Sequence, residues 1–203
     1  MMTQRRVVLA SNNPGKLREL RAVLNSHDVE LLPQADFKVG DVAETGLTFV
    51  ENALIKARHA CLHSGLPSIA DDSGLEVDAL NGEPGIYSAR YAGVSGYGTD
   101  ANNNARLLRE LVQVPEAKRT ARFQCVIVYL RHDKDPTPLI CQGTWEGRIL
   151  FEEKGNNGFG YDPLFYVPTH ECSSAELDSS VKNSLSHRGQ ALRQLIECWN
   201  SRP

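Results

Sequence analysis

The alternation of apolar and polar residues cuts this chain into short strands and amphipathic helices. Val7-Val8-Leu9-Ala10 is an unbroken apolar run and predicts a buried strand. Turn residues follow at 11–15, and then Leu17, Leu20, Val23 and Leu24 recur at helical spacing over about 16–25. A second short strand is predicted at 29–32 and a loop at 33–46. The clearest helix comes next. Thr48 and Glu51 form a capping-box pattern, and Val50, Ala53, Leu54, Ala57 and Cys61 make one apolar stripe. Gly65 and Pro67 stop that helix. Asn52 and Lys56 lie together beside the stripe.

Further along, 68–70 predicts a strand that Asp71-Asp72-Ser73-Gly74 breaks, with another strand over 75–80. The stretch 81–98 holds five glycines and a proline and reads as loop. A helix is predicted over 99–112. The strongest strands are 120–131 and 138–145, joined by a hairpin loop over 133–138, with 147–151 extending the sheet. A glycine-rich loop at 155–160 leads to a short strand at 164–167. The last helix starts near Ser186 and carries Leu192, Leu195, Ile196 and Trp199. Strands alternate with helices early and run together near residue 120. That order predicts one α/β domain spanning 1–203 with a mixed sheet.

Composition narrows the function classes. Hydrophobic residues are 41% of the 203 and charged residues 23%, which excludes wholesale disorder. Charges of 22 Lys+Arg against 25 Asp+Glu leave −3, with no basic surplus for nucleic acid. The longest apolar stretch, 125–130, is too short to span a membrane, and the N-terminal apolar run is too short for a signal peptide. A cytoplasmic protein with no membrane and no nucleic-acid partner is expected. The five cysteines include no C-x-x-C pair, which disfavours a zinc site.

Four constellations carry candidate chemistry. Ser11-Asn12-Asn13-Pro14-Gly15-Lys16 joins a strand to a helix, where free N–H groups and the dipole favour anions. The same residues also suit an ordinary turn. Glu44, Glu51, Asp71, Asp72, Glu76 and Asp78 offer hard oxygens of the kind Mg²⁺ takes alongside phosphate, although solvated surface is the usual fate of such residues. Asp71 and Asp72 are strand neighbours, so at most one of them is expected to face a given pocket. In Gly158-Phe159-Gly160-Tyr161-Asp162-Pro163 a loop aromatic between glycines suits a flat base, or a plain buried turn. Lys182 and Ser186-His187-Arg188-Gly189 put cations at a helix start, where the dipole does not favour them, which suggests a ligand's acceptor atoms.

These pieces, together with Glu44-Thr45-Gly46, Glu51-Asn52-Ala53 with Lys56, Ala70-Asp71-Asp72-Ser73-Gly74-Leu75 and Pro84 to Arg90, resemble one family: the inosine triphosphate pyrophosphatases. The likeness runs over nearly the whole chain and looks like a bacterial member. It implies an elongated mixed sheet with helices, in two lobes with the nucleotide cleft between them. It implies hydrolysis of deaminated purine triphosphates (ITP, dITP, XTP) to a monophosphate and pyrophosphate, with Mg²⁺, by a homodimer. By the same resemblance Ser11, Asn13 and Lys16 hold the phosphates within the segment that includes Asn12, Pro14 and Gly15, and Lys56 helps. Glu44 and Asp72 serve the metal, Asp72 is the general base, and Ser73 touches substrate. Phe159 stacks on the purine, Gly160, Tyr161 and Asp162 form its loop, and Lys182, His187 and Arg188 face the base. No R-E-x-x-E-E cluster or D-x-D pattern is present, which disfavours Nudix and aspartyl-phosphate chemistry. A nucleotide sensor without turnover would lack Asp72 or Glu44.

Overall fold

The computed structural model describes residues 5–24, 27–93 and 100–201. Its centre is a seven-stranded sheet with strand order β2-β1-β3-β4-β5-β6-β7. β1 (Arg5–Leu9) runs parallel to both β2 (Val29–Pro33) and β3 (Ser68–Val77). β4 (Thr120–Leu130) and β5 (Leu139–Ile149) follow. β6 (Phe165–Val167) is antiparallel to β5 and to β7 (Cys172–Ser173). The sheet is therefore mixed, as the order of elements in the sequence predicts.

The chain divides into two compact units, and β3, β4 and β5 each contribute to both. The first comprises 1–72, 125–143 and 188–203, and the second 73–124 and 144–187. In the first unit both sheet faces are covered. Val7, Leu9, Ile69, Cys125, Ile127 and Tyr129 pack with α1 (Pro14–Leu24) and α5 (His187–Ser201). Their strand neighbours Val8, Ala10, Ala70, Val126, Val128 and Leu130 pack with α2 (Phe49–Ser64). The period of two explains the sorting, since successive side chains leave opposite faces. In the second unit one face carries an apolar core of Leu75, Val77, Phe123, Trp145 and Phe165, shared with Leu107 of α3 (Asp100–Glu110). The alternate positions are polar and pair laterally. Gln124 donates to Glu76 at 3.0 Å, Thr144 donates to Gln124 at 2.7 Å, and Arg122 bridges Asp78 and Glu146.

The structure departs from the sequence reading in several places. Asp71–Gly74 does not break the strand: β3 runs through it. Asp and Gly are poor strand formers, but here the two carboxylates are held by cations described below. A helix absent from the sequence reading, α4 (Ser179–Leu185), precedes α5. It has only seven residues, mostly polar, too few to show a period. Single turns of 3-10 helix at Gln34–Phe37 and Gly85–Arg90 lie in stretches expected to be loop. The predicted helix ends at Asn25 and Thr99, and the loop residues 94–99, lie outside the described residues.

Candidate active site

Two groups of side chains hold most of the predicted residues, one in each unit. In the first unit the pleat of β3 sorts its two aspartates. Asp71 shares a face with Ile69, toward α1 and α5, and Asp72 shares the other face with Ala70, toward α2. Each meets a lysine from the helix on its side. Lys16 of α1 pairs with Asp71 at 2.5 Å, and Lys56 of α2 pairs with Asp72 at 2.5 Å and Glu44 at 2.8 Å. Both ammonium groups also reach one acceptor, the carbonyl oxygen of Asp71, at 3.2 and 3.0 Å. The strand peptide thus brings two cations and two carboxylates together.

Local sequence fixes each helix. Pro14 opens α1, where its missing N–H costs nothing. Asn13 Oδ1 accepts from the N–H groups of Gly15 and Lys16 at 2.8 and 3.1 Å. Ser11 Oγ accepts from Asn13 N–H, and Asn12 donates to Asp41. The turn reading and the anion reading of this segment therefore share residues, because Asn13 and Ser11 build the turn that delivers Lys16. Thr48 caps α2 by accepting the Glu51 N–H, a contact worth about 1 kcal/mol. Asn52 is fully buried, and its Oδ1 accepts from Gly46 N–H at 2.8 Å, which anchors the segment carrying Glu44.

Sequence reasoning overlooked the depth of the Asp71 network. The Arg188 guanidinium donates through Nε to Asp71 at 2.6 Å and also pairs with Glu19 of α1. Cys125 donates to the same carboxylate at 3.2 Å. Burial alone would raise the Asp71 pKa, but Arg188 and Lys16 outweigh it and hold the carboxyl well below its ordinary range. Burial likewise opposes the Arg188 charge, and Asp71 and Glu19 more than restore it. Arg188, expected to face a base, pairs with both of these carboxylates. Glu19 and Asp71 lie 169 and 117 residues from it, and no local pattern marks such a pairing.

Asp72 behaves differently. Burial pushes its pKa above the ordinary value, Glu44 adds to that, and Lys56 and Lys16 pull back without cancelling the rise. Lys56 loses some proton affinity to burial, yet Asp72 and Glu44 leave it raised and firmly cationic. The two neighbouring carboxyls are thus shifted in opposite directions, Asp71 down and Asp72 up. Ser73 follows Asp72 on β3 and is half-buried.

In the second unit the organising group is Asp162, which is 3% exposed. Its Oδ2 accepts from Lys182 Nζ at 2.6 Å and from Phe159 N–H at 2.8 Å, and its Oδ1 accepts from Ser174 at 2.9 Å. The Lys182 ammonium stands 5.1 Å from the Phe159 ring centre. Gly158 has φ +79°, and a Cβ there would meet Asp162 Oδ2 at 2.1 Å, so only glycine permits this close approach. Tyr161 is buried and donates to Ser88 O at 2.8 Å. His187 stacks on Phe123 with centroids 4.7 Å apart and planes at 14°. The set combines a flat aromatic, a buried ammonium and an imidazole. Arg90, which had no assigned role, lies over the Tyr87 ring.

A carboxylate–lysine set of this kind, in a mixed sheet of this order, can be compared with known proteins. The model of the Ham1 family matches residues 7–198. The chain belongs to the Ham1 family. Among curated relatives it is 60% identical over 190 residues to a dITP/XTP pyrophosphatase of Shewanella oneidensis, covering 94% of this chain and 91% of that one. It is 58% identical over 192 residues to a dITP/XTP pyrophosphatase of Vibrio parahaemolyticus, covering 95% of each. The solved structure of a HAM1 protein from Coxiella burnetii superposes with TM-score 0.88 at 49% identity, covering 98% of this chain and all of that one. Among the described residues no helix is long and apolar enough to cross a membrane.

Proposed function

We propose that this Ham1-family chain is a hydrolase that splits deaminated purine nucleoside triphosphates, ITP, dITP and XTP, into the monophosphate and pyrophosphate. The observation that carries the reading is the Asp71-Asp72 strand peptide, where two lysines converge beside a carboxylate whose pKa is raised. The names of the close relatives agree with it.

Asp72 is the general base and takes the proton of the attacking water, a role worth about 10²–10⁴-fold. Lys16 and Lys56 stabilise charge on the pyrophosphate leaving group. Ser11, Asn13 and Lys16 line the phosphate side, and Ser73 contacts substrate. Glu44 and Asp72 would hold Mg²⁺. The donor set fits, because both carboxylates reach one ammonium and therefore crowd one point. Two carboxylates with phosphate and water completing the shell is the arrangement Mg²⁺ prefers. Bound there, the ion would neutralise phosphate charge.

Phe159 offers the stacking face for the base, and Lys182 and His187 supply donors for the 6-oxygen that separates hypoxanthine and xanthine from adenine. A buried polar site of this type rejects a mismatched partner by about 10⁴-fold. The chain acts as a cytoplasmic homodimer in this reading. Product analysis tests it: with ITP and Mg²⁺ the expected products are IMP and pyrophosphate. Release of orthophosphate and a diphosphate, or equal kcat/KM for ITP and ATP, would refute it.

A further inference from the structure

The Phe159 loop is held from a direction that the site residues do not account for. Gly160 follows Phe159, and both polar groups of its backbone are taken by the first turns of α3. The Gly160 N–H donates to Asp100 Oδ2 at 2.7 Å. The Gly160 carbonyl accepts from Asn104 Nδ2 at 3.2 Å. Asn104 is 3% exposed, and its other amide hydrogen goes to Glu153 at 2.7 Å, which fixes the plane of the amide. One turn of the same helix also grips a second segment. Asn103 accepts from Ala92 N–H at 2.8 Å and donates to Ala89 O at 3.3 Å.

A glycine between two mobile torsions gives a loop no stiffness of its own, and Gly160 has φ +62°. The angle of the Phe159 ring therefore depends on side chains that hold the neighbouring backbone. Asp162 secures the Phe159 N–H on one side, and on the other Asp100 secures the 159–160 peptide and Asn104 the 160–161 peptide. A stacking face pinned at both peptides loses little entropy when a base arrives.

We propose that Asp100 and Asn104 are positioning residues that fix the Phe159 ring for base stacking and so set affinity for the nucleoside part of the ligand. The inference rests on the stacking role proposed for Phe159. Calorimetric titration of the full chain with IMP and, separately, with pyrophosphate tests it. Asp100→Ala should weaken IMP at least about tenfold, the size of one hydrogen bond to a charged acceptor, and leave pyrophosphate unchanged. Asp100→Asn keeps an acceptor for the Gly160 N–H and should restore most of the IMP affinity. Asn104→Ala should weaken IMP in the same selective way and serves if the Asp100 variant does not fold. Normal IMP binding by Asp100→Ala and Asn104→Ala, with IMP binding lost in Phe159→Ala, overturns this inference alone. Equal loss of IMP and pyrophosphate overturns it as well, since that marks a general structural role. Normal IMP binding by Phe159→Ala removes the stacking reading and this inference with it.

Discussion

β4 passes from one kind of environment to another within a single strand. From Thr120 to Gln124 its residues alternate between buried and more exposed, and from Cys125 to Leu130 every residue is buried. The first half has an apolar core on one face and a polar ladder on the other. The second half is enclosed between α2 on one side and α1 with α5 on the other. The chemistry differs in parallel. Where both faces are covered, charge is admitted only as matched pairs, and Asp71, Arg188 and Lys16 form a buried network. In the second unit the Phe159 N–H is held by Asp162, whose carboxylate forms a buried ion pair with Lys182 of α4. A network of several charges lies where both sheet faces are covered, whereas a single ion pair anchors the loop.

The sharpest break in this comparison is removal of the proposed base. Asp72→Asn should lower turnover by about 10²–10⁴-fold, read as pyrophosphate release, with little change in thermal midpoint. Full activity in that variant would move the base to another residue. Next in size is Asp71→Ala, which leaves the buried Arg188 charge with Glu19 alone and should cost about 3 kcal/mol in chemical denaturation. The pH dependence has a definite sign. The folded Asp71 pKa lies well below 3.8, so its stabilisation is complete above that value and fades as pH falls toward the folded one. The stability gap between wild type and Asp71→Ala should therefore narrow in acid.

Phe159→Ala should weaken nucleoside monophosphate binding by about 1–3 kcal/mol and spare pyrophosphate, as calorimetry on the two ligands would reveal. Titration of the metal-free protein tests the Asp72 carboxyl. Burial lifts its pKa above the ordinary value, so carboxyl NMR without Mg²⁺ should show it titrating above an ordinary aspartate, and added Mg²⁺ should lower that midpoint. The smallest effect belongs to the polar ladder. Arg122→Ala breaks partly exposed pairs and should change stability by less than about 1 kcal/mol.

Much of this was legible from residue order. The strands at 7–10, 29–32, 120–131 and 138–145 and the capped helix after Thr48 follow from periodicity and local capping, which are properties of neighbours. The mixed sheet follows from their order. One departure has its cause in long-range charge. Asp71-Asp72-Ser73-Gly74 reads as a break because its propensities are poor, and only cations from α1, α2 and α5 make it strand. Arg188 and Lys16 meet only through the shared carboxylate of Asp71, a link no spacing rule encodes. The alternation of Asp71 and Asp72 was readable, and it was the correct guide: the two carboxylates do meet different lysines. The α4 helix that carries Lys182 was too short and polar to announce itself.

Arg188 touches α1 through Glu19 and β3 through Asp71 while belonging to α5. All five cysteines of this chain are free thiols. The guanidinium therefore serves as the cross-link that a disulfide would supply elsewhere, tying together residues 19, 71 and 188. Unlike a disulfide it is indifferent to reductants, and its planar fork offers a separate N–H donor to each carboxylate, Nε to Asp71 and Nη1 to Glu19.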